Sequence, residues 1–225
     1  MNDWLTIAIP KGRLGMTVLE ILAEAGLPIE AVATDSRTLM FEFEAEKVRY
    51  LICRSSDVPT FVEYGSADIG VVGKDTLAEL DADVFEILDL GFGRCRFAVA
   101  VKDEVAKKHT NKGIFKLREL NNQRVATKFP NVAEEFFSHK GMQMEVIKLH
   151  GNVELAACVG LADMIIDIVS TGKTLQENGL TPVIDIFSAT ARLIANRVSY
   201  RMKNTQINSL SQQLRLIMAE RNKHD

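Results

Sequence analysis

The sequence predicts an α/β fold in two lobes, each built on a mostly parallel sheet covered by helices. Three observations carry that expectation. Short apolar runs alternate with segments of helical period, turns bearing Gly, Pro or Asp separate them, and one strand-to-helix pattern occurs twice. Such alternation is how helices bury both faces of a parallel sheet. A chain of 225 residues suffices for two modest lobes.

Leu5–Ile9 is an apolar strand closed by Pro10 and Gly12. Leu14, Val18, Ile21, Leu22 and Ala25 then recur at helical spacing, with Gly26 as the stop. Leu39–Phe43 and Val48–Cys53 read as a strand pair. Ser56 or Asp57 caps a helix that has Pro59 in its first turn and ends at Gly65. Asp68–Val72, Arg96–Val101, Arg124–Thr127, Met144–Lys148 and Met164–Val169 are further strands, with helices over Asn131–His139 and Thr171–Asn178. After Pro182–Phe187, the period of Ile207, Leu210, Leu214 and Ile217 predicts one amphipathic helix over Gln206–Arg221.

The repeated pattern joins Gly65-Ser66-Ala67-Asp68 and the strand after it to Gly73-Lys74, and Gly160-Leu161-Ala162-Asp163 and its strand to Gly172-Lys173. Both read as helix end, Gly-x-Ala-Asp turn, buried strand, then Gly-Lys opening a helix. That implies similarly wired lobes with a ligand cleft between them. From the changes in pattern, the lobes are expected at 1–93 plus 185–225 and at 94–184.

A net charge of −3 offers no bulk attraction for nucleic acid or an anionic membrane, so any anion site must be a local cluster of cations. Cys53, Cys95 and Cys158 have neither disulfide nor zinc spacing and read as buried reduced thiols. His109, His139, His150 and His224 lack metal-ligand spacing. No apolar run is long enough to span a membrane, and the first residues lack a basic leader, so the expected location is cytoplasmic.

The strongest chemical signal is Asp167-Ile168-Val169-Ser170-Thr171-Gly172-Lys173-Thr174. A buried strand runs into a small, hydroxyl-rich turn at a helix start, which offers N–H and O–H donors to a phosphate. It is not a Walker A loop, because Asp167 stands where that pattern requires Gly. Asp167 reads as an acid for sugar hydroxyls or a magnesium ion beside the phosphate nest.

These residues resemble the ATP phosphoribosyltransferases that open histidine biosynthesis. The resemblance rests on Ile9-Pro10-Lys11-Gly12-Arg13-Leu14, Arg54-Ser55-Ser56-Asp57-Val58-Pro59, Gly65 to Asp75, Arg124 to Lys128, Val153-Glu154-Leu155-Ala156 with Gly160 to Asp163, and Asp167 to Leu175. One departure is Ala157, where the family usually has Pro. The resemblance implies a type II periplasmic-binding-protein-like pair of lobes with the active site in the cleft. It also implies ATP and 5-phosphoribosyl 1-pyrophosphate as substrates, with Mg2+. The chain looks like the short form, for which a homodimer and a hetero-oligomer with a histidyl-tRNA-synthetase-like regulatory subunit are expected.

The implied reaction joins adenine N1 to the anomeric carbon and expels pyrophosphate. Its demand is charge compensation between two polyanions rather than a strong base. Arg13, Arg37 and Arg54 are therefore expected on the phosphates, since guanidinium forks match phosphate oxygens. Lys11, Asp68, Gly73 and Lys74 are expected on the nucleotide side. Ser170, Thr171, Gly172, Lys173 and Thr174 are expected around the 5-phosphate, with Asp167, Glu154 and Asp163 on the sugar side. Other readings are a phosphoribosyltransferase for another acceptor and a two-lobed binding module without chemistry.

Overall fold

The structure, a computed structural model, describes residues 3–32, 37–221 and 223. Met1 and Asn2, which open the segment read as leaderless, and His224 lie outside them. Two compact units emerge, Met1–Gly93 with Thr190–Asp225 and Arg94–Ala189.

The first unit is built on strands β1 (Leu5–Pro10), β2 (Met40–Phe43), β3 (Val48–Cys53), β4 (Ile69–Gly73), β5 (Phe85–Asp89) and β13 (Ala191–Ala195). Their order is β2-β3-β1-β4-β13-β5. All six residues of β1 are buried, because parallel β3 and β4 flank it and helices cover its faces. Helix α1 (Arg13–Glu24) buries Val18, Leu19, Ile21 and Leu22 on one stripe. The terminal helix α9 (Asn204–Arg221) packs beside it through Ile207, Leu210, Leu214 and Met218. Burying each such side chain contributes roughly 1.5–3 kcal/mol. Helices α2 (Val58–Glu63), α3 (Lys74–Leu80) and α8 (Arg197–Met202) complete the unit.

The second unit holds β6 (Cys95–Lys102), β9 (Arg124–Thr127), β10 (Glu145–Lys148), β11 (Met164–Val169) and β12 (Leu180–Ala189) in the order β10-β9-β11-β6-β12. Helices α4 (Asp103–His109), α5 (Pro130–His139), α6 (Val153–Cys158) and α7 (Lys173–Glu177) accompany it, with a small hairpin of β7 (Thr110–Asn111) and β8 (Ile114–Phe115). Ala157 is fully buried inside α6, so the departure from Pro leaves a continuous helix.

Both sheets are mixed rather than nearly parallel. In each, three neighbouring strands are parallel (β3, β1, β4 and β10, β9, β11), and antiparallel strands flank them: β2 and β13 in the first unit, β6 in the second. The return expected at residue 185 falls within β12, whose pairing with β6 keeps residues through Ala189 in the second unit.

The repeated Gly-x-Ala-Asp turn does the same work twice. Asp68 N–H donates to Thr6 O, and Thr6 N–H donates back to the Asp68 carboxylate, both at 2.8 Å. Asp163 N–H donates to Arg124 O at 3.0 Å, and Arg124 N–H returns to the Asp163 carboxylate at 3.1 Å. Each acid thereby fastens its own strand to the start of the parallel neighbour.

Candidate active site

In α/β sheets, ligands gather beyond the carboxyl ends of parallel strands, where loops lead into helix N-termini. In the first unit that edge collects most of the expected cations. Pro10 of β1 lies in register with Cys53 of β3, so Lys11 and Arg13 emerge beside Arg54. Strand β2 runs antiparallel to β3, with Met40 opposite Leu51, so Arg37 enters at the same edge. Lys11, Arg13, Arg37 and Arg54 are all exposed there. Gly12 holds φ at 85° to turn the chain into α1. Gly15 is required for closeness, since a Cβ would stand 1.8 Å from Pro10 O. Cys53 beneath them has its thiol pushed up to about 11 by burial and then by Asp57, with Lys11 opposing, so it is no nucleophile at neutral pH. Of the three cysteines expected to be buried, Cys53 and Cys95 are half-buried and Cys158 is exposed.

Gly73 ends β4 and Lys74 opens α3 at this edge, but Lys74 is engaged. Its Nζ lies 2.6 Å from Glu86, and its N–H donates to Thr190 O. The Asp75 carboxylate folds back over Gly73, 1.9 Å from where a Cβ would stand. The matching edge of the second unit presents Thr127-Lys128 after β9, residues 149–154 after β10, and Ser170–Gly172 after β11. Ser170 and Thr171 are exposed, Gly172 adopts φ 78°, and Lys173 N–H approaches Thr171 Oγ1 at 3.4 Å. Lys173 Nζ leans toward Glu177 at 3.7 Å, and Thr174 O accepts from Asn178.

Asp167 is half-buried in β11 and accepts from Ile168 N–H at 2.7 Å. Burial raises its pKa, the Ile168 N–H opposes this, Glu154 pushes it further up, and Lys128 pulls it down. Glu154 and Lys128 thus both act on Asp167 at one sheet edge. Lys128 joins the candidates at this edge through its effect on Asp167, and its place directly after a strand was a readable signal.

Asp68, expected on the nucleotide side, and Asp163, expected on the sugar side or behind it, are both engaged with the protein itself. Asp68 is 6% exposed and pairs with Lys203 Nζ at 2.6 Å besides holding Thr6. Asp163 holds Arg124, with Nε at 3.8 Å. Both acids precede their strands, at the edge opposite the cations and the hydroxyl turn. They fasten strands there, away from the edge that gathers the expected cations.

Among the described residues, no group of three or more His, Cys, Asp or Glu could hold a metal ion. Asp167 with Glu154 offers two carboxylates at most. That suits an Mg2+ carried on phosphates and water better than a protein cage.

A sequence profile described as HisG: ATP phosphoribosyltransferase matches residues 54–216. The chain belongs to the ATP phosphoribosyltransferase family. It is similar to the ATP phosphoribosyltransferase of Moorella thermoacetica, 57% identical over 96% of this chain and 93% of that one. The Desulfitobacterium hafniense ATP phosphoribosyltransferase is 55% identical over 97% and 98%. Among solved structures, the ATP phosphoribosyl transferase (HisG:HisZ) complex from Thermotoga maritima matches with TM-score 0.78 and 33% identity, over 98% of this chain and 100% of that one. A substrate binding protein of an amino acid ABC transporter shares the fold alone, with TM-score 0.60 and 12% identity. For this family member, the fold is thus the α/β architecture of periplasmic binding proteins.

Proposed function

We infer that the chain transfers the 5-phosphoribosyl group from 5-phosphoribosyl 1-pyrophosphate to N1 of ATP, releasing pyrophosphate, as the first step of histidine biosynthesis. Membership of the family supports the reaction. The observation that supports the residue assignment is the gathering of Lys11, Arg13, Arg37 and Arg54 at one edge of a sheet in a chain of net charge −3.

Adenine N1 brings its own lone pair, so the work lies in alignment and charge compensation. Arg13, Arg37 and Arg54, with Lys11, neutralise ATP phosphates and the departing pyrophosphate. Ser170, Thr171 and the amides of Gly172, Lys173 and Thr174 bind the 5-phosphate, and Gly172 permits its close approach. Asp167 and Glu154 orient the ribose hydroxyls. A Mg2+ arriving on the pyrophosphate would neutralise charge there, with Asp167 within its coordination shell. Gly73 lines the nucleotide side, with Lys74 held in place by Glu86.

A homodimer and a hetero-oligomer with a histidyl-tRNA-synthetase-like subunit complete the reading. The similar Thermotoga maritima protein was solved as a HisG:HisZ complex. No helix among the described residues is long and apolar enough to cross a membrane, consistent with the proposed cytoplasmic setting.

The test is an ultraviolet assay with ATP, the phosphoribosyl donor and Mg2+, with adenine as the control acceptor. Arg13→Ala and Arg54→Ala should each lower kcat/KM by about 100-fold or more, the scale of losing one preorganised charge-stabilising donor. Wild-type values in both variants and in Arg37→Ala would remove the clamp. Turnover of adenine in place of ATP would reassign the acceptor.

A further inference from the structure

Away from the substrate edge, the second unit carries a basic surface that the transfer reaction leaves unused. Between Glu104 and Glu119 the sequence holds Lys107, Lys108, His109, Lys112, Lys116 and Arg118 with no acid among them. The β7–β8 hairpin projects this stretch. Its turn residues Lys112 and Gly113 both adopt positive φ (50° and 79°), as a tight two-residue hairpin requires. Ile114 beside the turn is 72% exposed.

Where the hairpin meets the end of α5, an open groove of about 790 Å³ has an apolar floor and charged walls. Phe115, Leu117, Met142 and Ile184 form the floor; Lys116, Arg118 and Lys140 line the walls. Glu119 is the one carboxylate in the lining, and it is already shared between His109 at 2.8 Å and Lys116 at 3.1 Å. Asp185, next to the floor residue Ile184, is paired with Arg96. The groove therefore keeps an excess of positive charge over an apolar base.

Helix ends explain part of this. Lys107 and Lys108 close α4 and His139 closes α5, where cations offset the C-terminal dipole. That account does not reach Lys112, Lys116 or Arg118, which lie outside both helices.

We propose that this groove receives an acidic segment of a partner protein, with an apolar side chain seated on its floor. Charge complementarity specifies the acid, and the floor specifies the anchor. A nucleic acid is disfavoured. It would meet the groove's cations, but it would also run along the surface of a chain that is acidic in sum.

Short randomised peptides displayed on phage should be selected on the full-length chain and counter-selected on Lys116→Glu/Arg118→Glu/Lys140→Glu. The selection should enrich sequences mixing Asp or Glu with Leu or Phe. The labelled consensus peptide should bind the variant about tenfold or more weakly and lose affinity as salt rises. Lys116→Gln/Arg118→Gln gives a milder version of the same loss should the reversal variant fold poorly, and Ile114→Ser tests the hairpin's apolar contribution. Enrichment of neutral or basic peptides, equal binding by both charge variants, or tighter binding of a short single-stranded RNA than of the peptide would overturn the proposal.

Discussion

Replacing Asp68 by Ala separates the structural reading of this acid from the nucleotide-side role its sequence context suggested. The carboxylate is 6% exposed and accepts from Thr6 N–H at 2.8 Å and Lys203 Nζ at 2.6 Å. Truncation leaves Lys203, 19% exposed, with the Trp4 carbonyl as its remaining partner among the described residues, and strands the Thr6 donor. Breaking one side of a buried pair costs about 3–5 kcal/mol. For a chain of this length that lowers Tm by roughly 6–20 °C. Asp163→Ala is the internal control. Its ion pair is longer, at 3.8 Å, and both side chains are more than a third exposed. The loss there should be about 1–2 kcal/mol, mostly the Arg124 N–H bond. Thermal scans by circular dichroism, with steady-state kinetics below the transition, give both readouts. The expected result is a large drop in Tm for Asp68→Ala, a small one for Asp163→Ala, and little change in the KM for ATP. An unchanged Tm together with a KM for ATP raised tenfold or more would show that the carboxylate meets the nucleotide after all.

Three further outcomes follow from particular contacts. Gly15→Ala places a methyl 1.8 Å from Pro10 O, so it should cost about 1–3 kcal/mol or more and lower kcat/KM by displacing Lys11 and Arg13; denaturant titration and the ultraviolet assay check this. Asp167 has a raised pKa, so its ionisation opposes folding, and the penalty appears as pH rises from the ordinary value of 3.8 through the raised one. Asp167→Asn should therefore gain Tm relative to wild type between pH 4 and 7 while raising the KM for the phosphoribosyl donor; a relative loss of Tm over that range contradicts the assignment. The Tyr50 hydroxyl is fully buried without a hydrogen-bond partner among the described residues, so Tyr50→Phe should leave stability unchanged or raise it by about 1 kcal/mol, measured by urea unfolding.

The strands legible in the sequence are those with an apolar run and a turn residue at each end. Val48–Cys53, Arg124–Thr127 and Met164–Val169 have the expected limits. Strands β5 and β13 were not legible, for different reasons. Phe85–Asp89 is only partly buried at a sheet edge, so its charges blur any alternation. Ala191–Ala195 is buried but carries Arg192, and its insertion between β4 and β5 depends on where the chain returns. The hairpin at Lys112-Gly113 had its turn signal, yet two-residue strands offer no pattern to frame it. The positions of Lys11, Arg13, Arg54 and the Ser170–Thr174 turn at the carboxyl ends of their strands were legible because strand ends beside Gly place them. The backbone-holding work of the two turn acids was not legible because Asp serves equally to bind a ligand or to hold a backbone N–H. Only the distant partners Thr6, Lys203 and Arg124 decide between these uses.

The twin Asp68 and Asp163 fastenings secure each sheet at the margin remote from the turns that follow Pro10 and Val169. Changes in the length or composition of those turns need not unzip the strands beneath. The scaffold leaves them free to be reshaped while the framework stays anchored from behind.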